Sequence, residues 1–128
     1  MKETIGIVGA GAMGSGIAQI AAEAGHPVII YDAYPDALVR SENKFGKLMN
    51  RLQEKGKRTA EEAQATQNLM TYSSDFSDLK RAQWVIEAAI EDMSVKRDIF
   101  SRLERTCSDD CILATNTSSL SVSGIASA

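Results

Sequence analysis

Three glycines at positions 9, 11 and 14 follow an apolar run, Ile5–Val8, and precede a helix-like run. The segment Gly9-Ala10-Gly11-Ala12-Met13-Gly14 therefore has the context and the G-x-G-x-x-G spacing that bind a dinucleotide pyrophosphate. The first glycine permits a tight turn, the second lets a phosphate approach the backbone, and the third lets the helix pack closely on the sheet. The helix N-terminus adds N–H groups and a partial positive charge. The alternative is a strand-to-helix turn without a ligand.

Asp32 ends the second apolar run, slightly closer to the glycines than the ~20 residues usual for the acid of a dinucleotide-binding fold. Its carboxylate can accept hydrogen bonds from both hydroxyls of an adenosine ribose, whereas the 2′-phosphate of NADP would meet a like charge. Residues 33–35 include no Lys or Arg to hold that phosphate. We therefore predict NAD as the cofactor. The alternative role of Asp32 is that of a turn or helix-capping residue.

Polar residues also follow the fourth and fifth apolar runs. Glu91 lies just before the start of a predicted helix, where a carboxylate could simply stabilise the helix dipole. Lys96 lies in the first turn of that helix and opposes the dipole, which indicates either a phosphate or carboxylate partner or a surface position. Asn116 and Ser118 could face a nicotinamide and a substrate oxygen, or they could cap the next helix.

His26 is the only histidine, and it lies in a turn that leads into the second strand. That turn is at the edge of the sheet opposite the glycine motif, so we predict a structural role for His26. Hydride transfer from a secondary alcohol usually requires a general acid/base, most often a histidine. We find no suitable one in this chain.

Strand and helix patterns alternate along the sequence. Strands are predicted at 4–8, 28–31, 70–73, 84–88 and 111–115, and helices at 12–24, 36–55, from a capping box at 59–62, at 93–105 and at 119–126. Helical crossovers between strands require parallel pairing. We predict one α/β domain over residues 1–128, a Rossmann-type doubly wound, mainly parallel sheet with helices on both faces. Ligands of such sheets bind beyond the carboxyl ends of the strands, where the glycine motif, Asp32 and the segments after Ala88 and Thr115 would converge.

The composition argues against several other classes of protein. A net charge of −3 over 128 residues argues against a nucleic-acid surface, and no apolar run reaches the ~18 residues of a membrane helix. We expect free, half-buried or buried thiols at Cys107 and Cys111 and no metal site. The absence of a leader pattern favours the cytoplasm. The basic cluster at 55–58 favours a solvated helix end over a polyanion site.

Three segments together resemble the 3-hydroxyacyl-CoA dehydrogenase family: 5–32 (IGIVGAGAMGSGIAQIAAEAGHPVIIYD), 85–92 (VIEAAIED) and 112–120 (ILATNTSSL). The resemblance implies reversible oxidation of the 3-hydroxyl of an acyl-CoA, with hydride transfer to NAD and proton transfer by a His–Glu pair. It implies that residues 9–14 bind pyrophosphate and Asp32 the ribose. Ala88, Glu91 and Lys96 would lie along the cofactor, and Asn116 and Ser118 would face nicotinamide and the substrate oxygen. Lys55 falls near a family lysine that contacts CoA, but the serine slightly before that lysine is replaced here.

The family's histidine follows roughly twenty residues after the third segment, and a helical domain then completes the substrate pocket and the dimer. We therefore expect this chain to be the cofactor domain of a longer enzyme, to bind NAD and to be inactive alone. The longer protein is expected to be a homodimer through that helical domain. Two alternatives stay open: a dehydrogenase of another hydroxy acid, such as gulonate, and a nucleotide-sensing module without chemistry.

Overall fold

The computed structural model describes residues 2–88, 93–107 and 111–115. The strands are β1 (Ile5–Val8), β2 (Val28–Tyr31), β3 (Met70–Ser73), β4 (Trp84–Glu87) and β5 (Ile112–Thr115). The helices are α1 (Ala12–Glu23), α2 (Pro35–Glu54), α3 (Ala60–Asn68) and α4 (Met93–Thr106), with a 3-10 helix at Phe76–Arg81. The predicted helix 119–126 lies outside the described residues.

The five strands form one sheet in the order β3-β2-β1-β4-β5, and each of the four neighbouring pairs is parallel. The order reverses direction at β1, so helices connect strands on both sides of it. The registers align the last residues of the strands in one row: Ser73, Tyr31, Val8, Glu87 and Thr115. The carboxyl ends of the strands therefore end level, at a common edge.

Alternate residues of the strands face two separate cores, as expected for a sheet that is covered on both faces. On one face Ile7, Val28 and Ile30 pack against α1, α2 and α3. On the other face Ile29 and Val85 pack against the 3-10 helix and α4. The predicted doubly wound architecture with helices on both faces is confirmed.

Local sequence signals set where the helices begin and end. Pro35 is the first residue of α2. An N–H at that position would have no partner within the helix, so proline costs no hydrogen bond there. Gly56 follows the end of α2 with a φ of 71°, a conformation that favours glycine. Thr59 and Glu62 form the predicted capping box of α3: the Glu62 N–H donates to Thr59 Oγ1 (3.1 Å) and the Thr59 N–H donates to Glu62 Oε1 (2.8 Å).

The 3-10 helix is an element that the sequence analysis missed. Asp75 caps it by accepting hydrogen bonds from the N–H (3.0 Å) and the hydroxyl (2.7 Å) of Ser77. These bonds lower the pKa of the Asp75 carboxyl, since they stabilise its charged form. Phe76 and Leu79 are the buried residues that hold the helix against the sheet.

Candidate functional site

The turn from β1 into α1 requires glycine at two positions. Gly9 has a φ of 113°, in the region that favours glycine. A Cβ added to Gly14 would lie 1.9 Å from the Gly9 carbonyl oxygen and 3.3 Å from Cγ2 of Ile7. The start of α1 therefore approaches both the turn and β1 too closely for any side chain at position 14. This is the close packing that the sequence predicts for the third glycine.

Gly11 is different, because a Cβ there would meet no atom of the described residues within 4 Å. Gly11 is the N-cap of α1, has an extended conformation and makes no side-chain capping bond, and the first turn of α1 carries no acidic residue. The positive end of the helix dipole thus lies over a backbone without a side chain, in space that none of the described residues fills. These features fit a negatively charged group such as a pyrophosphate.

Asp32 directly follows β2 and connects the glycine turn to the start of α2. Its Oδ2 accepts a hydrogen bond from the Ala10 N–H (2.9 Å), and its Oδ1 accepts one from the Tyr34 N–H (2.9 Å). Its own N–H donates to the Ser73 carbonyl oxygen (3.2 Å). Asp32 therefore does stabilise the turn, which is one of the two roles considered for it. Since a carboxylate offers about four lone-pair positions, the ribose-binding role remains chemically open beside it.

The sheet-like hydrogen bonding continues one residue past the strands at this edge. The Gly9 N–H donates to the Tyr31 carbonyl oxygen (2.8 Å), and the Ala88 N–H donates to the Val8 carbonyl oxygen (3.0 Å). The glycine turn, Asp32 and Ala88 consequently lie side by side, as the sequence predicts. Glu91, Asn116 and Ser118 lie outside the described residues. Lys96 lies in the first turn of α4, but its side chain is not among those that the structure describes.

Glu87 is a residue of this edge that the sequence analysis did not single out. It ends β4 between Val8 and Thr115 in the register, and its side chain is fully buried. A buried carboxylate is costly unless it is hydrogen-bonded or paired. Its position in an apolar strand, directly before Ala88, is the signal that could have identified it.

A second feature that the sequence analysis missed is a cavity of about 250 Å³ between α1, α2 and β3. Its cations, Lys44 and Arg51, lie two turns apart on α2. Ser15 of α1 and Ser41 of α2 join their hydroxyls across the cavity wall (2.8 Å), and Ser15 also donates to the Ala10 carbonyl oxygen (3.1 Å). The cavity wall is thus hydrogen-bonded to the glycine turn.

Tyr72 of β3 also lines this cavity. Its hydroxyl oxygen is buried and has no hydrogen-bond partner among the described residues. Burial, with a smaller contribution from the Glu42 carboxylate, raises the pKa of Tyr72 to about 12. The hydroxyl is therefore protonated at neutral pH and can donate a hydrogen bond.

Lys55 is exposed and forms the C-cap of α2, where its N–H donates to the Arg51 carbonyl oxygen (3.1 Å). It is the start of the basic cluster at 55–58, which lies at a helix end. Of this cluster, Arg58 forms an ion pair with Glu23 of α1 at 3.9 Å.

His26 lies in the turn before β2, at the opposite end of the strands from Asp32. Its Nδ1 donates to the Glu3 carbonyl oxygen (2.8 Å), which fixes the N-terminal segment against the turn. Cys107 and Cys111 are free and half-buried. Burial raises the pKa of Cys107 to about 12 and also raises that of Cys111, so both are neutral thiols at pH 7.

Within the described ranges, no group of three or more His, Cys, Asp or Glu side chains is arranged to hold a metal ion. In the same part of the chain, no helix combines the length and apolar character that crossing a membrane requires.

Comparison with known proteins gives concordant results. Residues 4–128 match the family model of the 3-hydroxyacyl-CoA dehydrogenase NAD-binding domain. The chain is 39% identical to a 3-hydroxybutyryl-CoA dehydrogenase of Mycobacterium tuberculosis, with 98% of this chain and 44% of that protein covered. It is also 39% identical to a 3-hydroxyadipyl-CoA dehydrogenase of Escherichia coli, with 97% and 26% covered.

The crystal structure of a 3-hydroxybutyryl-CoA dehydrogenase from Escherichia coli superposes with a TM-score of 0.94 at 39% identity, over 97% of this chain and 26% of that one. The chain thus spans less than half the length of these relatives. They favour the acyl-CoA dehydrogenase interpretation over a gulonate-type enzyme or a sensing module. They also support NAD as the cofactor. This chain belongs to the NAD-binding domain family of the 3-hydroxyacyl-CoA dehydrogenases.

Proposed function

We propose that residues 1–128 form one domain that supplies the NAD site of an enzyme that reversibly oxidises (S)-3-hydroxyacyl-CoA to 3-oxoacyl-CoA. The observation that carries this proposal is the level carboxyl edge of the sheet, where an open glycine turn lies beside Asp32 and Ala88. Bound NAD supplies the acceptor for the hydride from C3 of the substrate. The chain's own residues bind and orient the cofactor.

The cofactor placement that we propose follows the order of the loops along this edge. The backbone of residues 9–14 holds the pyrophosphate, supported by the open space at Gly11 and by the α1 dipole. Asp32 accepts from the adenosine ribose with the lone pairs that Ala10 and Tyr34 leave free. Ala88, Glu91 and Lys96 follow the cofactor towards β4 and β5. Asn116 and Ser118 orient the nicotinamide and the substrate oxygen.

An acyl-CoA substrate is consistent with the charge of α2. Lys44 and Arg51 line the cavity between α1 and α2, and Lys55 lies at the end of the same helix. Coenzyme A carries several phosphate charges, which cations on one helix can attract. The relatives named above act on 3-hydroxybutyryl-CoA and 3-hydroxyadipyl-CoA by name, so we propose a 3-hydroxyacyl-CoA without fixing the acyl length.

Proton transfer requires a group at the cofactor edge, and His26 lies at the opposite end of the strands. We propose that the general acid/base belongs to the part of the relatives' length that this chain does not span. The same part would form the homodimer. We further propose that the enzyme works in the cytoplasm.

The test is acetoacetyl-CoA-dependent NADH oxidation by the complete natural protein that contains this segment, with the 128-residue chain in parallel. We expect turnover by the long protein, and NADH binding without turnover by the short chain. The Asp32→Ala variant of the long protein separates cofactor loss from substrate loss, because it should raise the KM for NADH more than that for acetoacetyl-CoA. NADH binding without activity in either protein would contradict the acyl-CoA assignment and leave the NAD site intact.

A further inference from the structure

Tyr34 is the most exposed large hydrophobic side chain at the cofactor edge, with 75% of its surface accessible. Two other aromatic residues lie at the same corner of the sheet: Phe76 is buried in the core, and Tyr31 is half-buried against it. Tyr31 and Phe76 pack edge to face with ring centroids 5.1 Å apart. Of these three rings, that of Tyr34 is the most accessible to a ligand.

The backbone of Tyr34 is fixed by its neighbours on both sides. Its N–H donates to Oδ1 of Asp32 at 2.9 Å, and it caps α2 with an extended backbone at φ −104° and ψ 108°. Pro35 disfavours helical backbone angles at the preceding residue and so maintains that extended conformation. The ring is therefore carried by a backbone bonded to the same carboxylate that we assign to the adenosine ribose.

From this arrangement we infer that the Tyr34 ring is one wall of the adenine site and stacks on the base of NAD. The base is attached to C1′ of the ribose, next to C2′, whose hydroxyl would donate a hydrogen bond to Asp32. A base bound there therefore lies beside residues 33–35. Ala33 carries only a methyl group, and the Asp75 carboxylate across the corner is bonded to Ser77. A purine offers two apolar faces, and a planar aromatic ring is the side chain that covers one of them best.

This inference rests on the ribose placement of the proposed function. It goes beyond it by naming a residue that contributes to cofactor affinity through stacking and not through charge. It also assigns the site a preference: ligands that carry an adenine should gain affinity from Tyr34, and those that lack the base should not.

The experiment titrates this chain and its Tyr34→Ala, Tyr34→Phe and Asp32→Ala variants with ADP-ribose and with NADH. ADP-ribose carries the adenosine and the pyrophosphate without the nicotinamide. We expect Tyr34→Ala to weaken the binding of both ligands by about 5- to 150-fold, the range of a lost base–aromatic stack. Tyr34→Phe keeps the ring and should bind within about twofold of the parent chain. Adenine C–H resonances should shift upfield on binding to the parent chain and to the Phe variant, and by less in the Ala variant.

Val39→Ala is the matched control, since Val39 is 56% exposed on the same helix and its loss removes apolar surface away from Asp32. It should leave both affinities unchanged. The Tyr34 and Val39 variants can be compared at equal stability, because exposed substitutions shift unfolding free energy little. The affinity of Asp32→Ala is measured under conditions where urea unfolding shows that this variant is folded, since it loses two hydrogen bonds.

The outcomes separate the two levels of the proposal. If Asp32→Ala weakens ADP-ribose but Tyr34→Ala does not, the ribose is placed correctly and the stacking inference is wrong. If neither variant weakens ADP-ribose, the ribose placement itself fails. If Tyr34→Phe loses as much affinity as Tyr34→Ala, the hydroxyl and not the ring makes the contact, which also overturns the inference.

Discussion

Asp32 organises this edge of the sheet before any ligand binds, because its two oxygens hold the N–H groups of Ala10 and Tyr34. From the sequence, Asp32 could be predicted as an acid at the end of β2, and two roles were weighed for it. In the structure Asp32 stabilises the turn. The remaining lone pairs of its carboxylate are compatible with ribose binding as well. The double hydrogen bond could not be predicted, since it depends on how the turn and α2 meet.

We expect Asp32→Ala to weaken NADH binding by roughly 1–3 kcal/mol, through loss of charge-assisted hydrogen bonds. The same change should lower the unfolding free energy, because two backbone N–H groups lose their acceptor. Asp32→Asn retains one carbonyl oxygen and should lie between the parent chain and the Ala variant in both properties. Calorimetric titration and urea unfolding measure the two effects. An unchanged NADH affinity in Asp32→Ala would remove this residue from the site.

Gly14→Ala should destabilise the chain by at least about 2 kcal/mol, because its methyl group would lie on the Gly9 carbonyl oxygen, and backbone cannot give way as a side chain can. Gly16→Ala is the control in the same helix. Its Cβ would meet no atom within 4 Å in the part of the chain that the structure describes, so this change should be neutral or stabilise by up to about 1 kcal/mol. Urea unfolding of the two variants tests this. Equal stabilities would show that the turn is looser than described.

At the scale of elements, the sequence predicts best where a local pattern suffices. The Thr59–Glu62 capping box could be predicted from residue types alone, and it is formed as predicted. The 3-10 helix was missed because its only signals are Asp75, which caps it, and two apolar residues three positions apart. The cavity between α1 and α2 could not be predicted, because it depends on the distance between two helices that the chain brings together.

Thr59→Ala should lower the unfolding free energy by about 1 kcal/mol at pH 7, the usual cost of losing an N-cap side chain. Thr66→Ala in the same helix is the control. The Thr66 hydroxyl donates to the Glu62 carbonyl oxygen at 3.0 Å, a bond within the helix that adds little stability. Equal losses of stability in the two variants would argue against the capping box.

The capping box also has a pH signature. Hydrogen bonds from Thr59 lower the pKa of the Glu62 carboxyl below its ordinary value of 4.5 in the folded chain. A lowered folded-state pKa contributes stability that is fully present above the unfolded pKa and is lost as pH falls through the folded pKa. We expect this contribution to be full at pH 7 and to decline below about pH 4.5. Comparing Glu62→Gln with the parent chain across that range measures it, and a constant difference would contradict the assignment.

At the scale of the whole molecule, the doubly wound sheet could be predicted from the alternation of strand and helix patterns. The level row that Ser73, Tyr31, Val8, Glu87 and Thr115 form could not, because hydrophobic patterns give the face of each residue but leave the stagger between strands open. This row brings the glycine turn, Asp32 and Ala88, which come from different parts of the chain, to one edge of the sheet.

Because NADH should bind only the folded chain, it should raise the melting temperature. At a concentration 100 times its Kd the gain is about 2.7 kcal/mol, or roughly 10 °C for a domain of this size. NADPH at the same concentration should raise it much less, since its 2′-phosphate would face Asp32. Thermal scans with each nucleotide test the preference. Equal shifts would contradict the predicted choice of NAD.

The two hydrogen bonds of Asp32 have a consequence for redesign of the chain. The 2′-phosphate of NADP would meet a like charge at Asp32, so a change of preference to that coenzyme first requires the carboxylate to be replaced. Here that replacement alone would remove the acceptor for the Ala10 and Tyr34 N–H groups and loosen the glycine turn. A successful conversion must therefore keep a neutral oxygen acceptor at position 32 and introduce the new cation elsewhere, with exposed Ala33 the nearest position available.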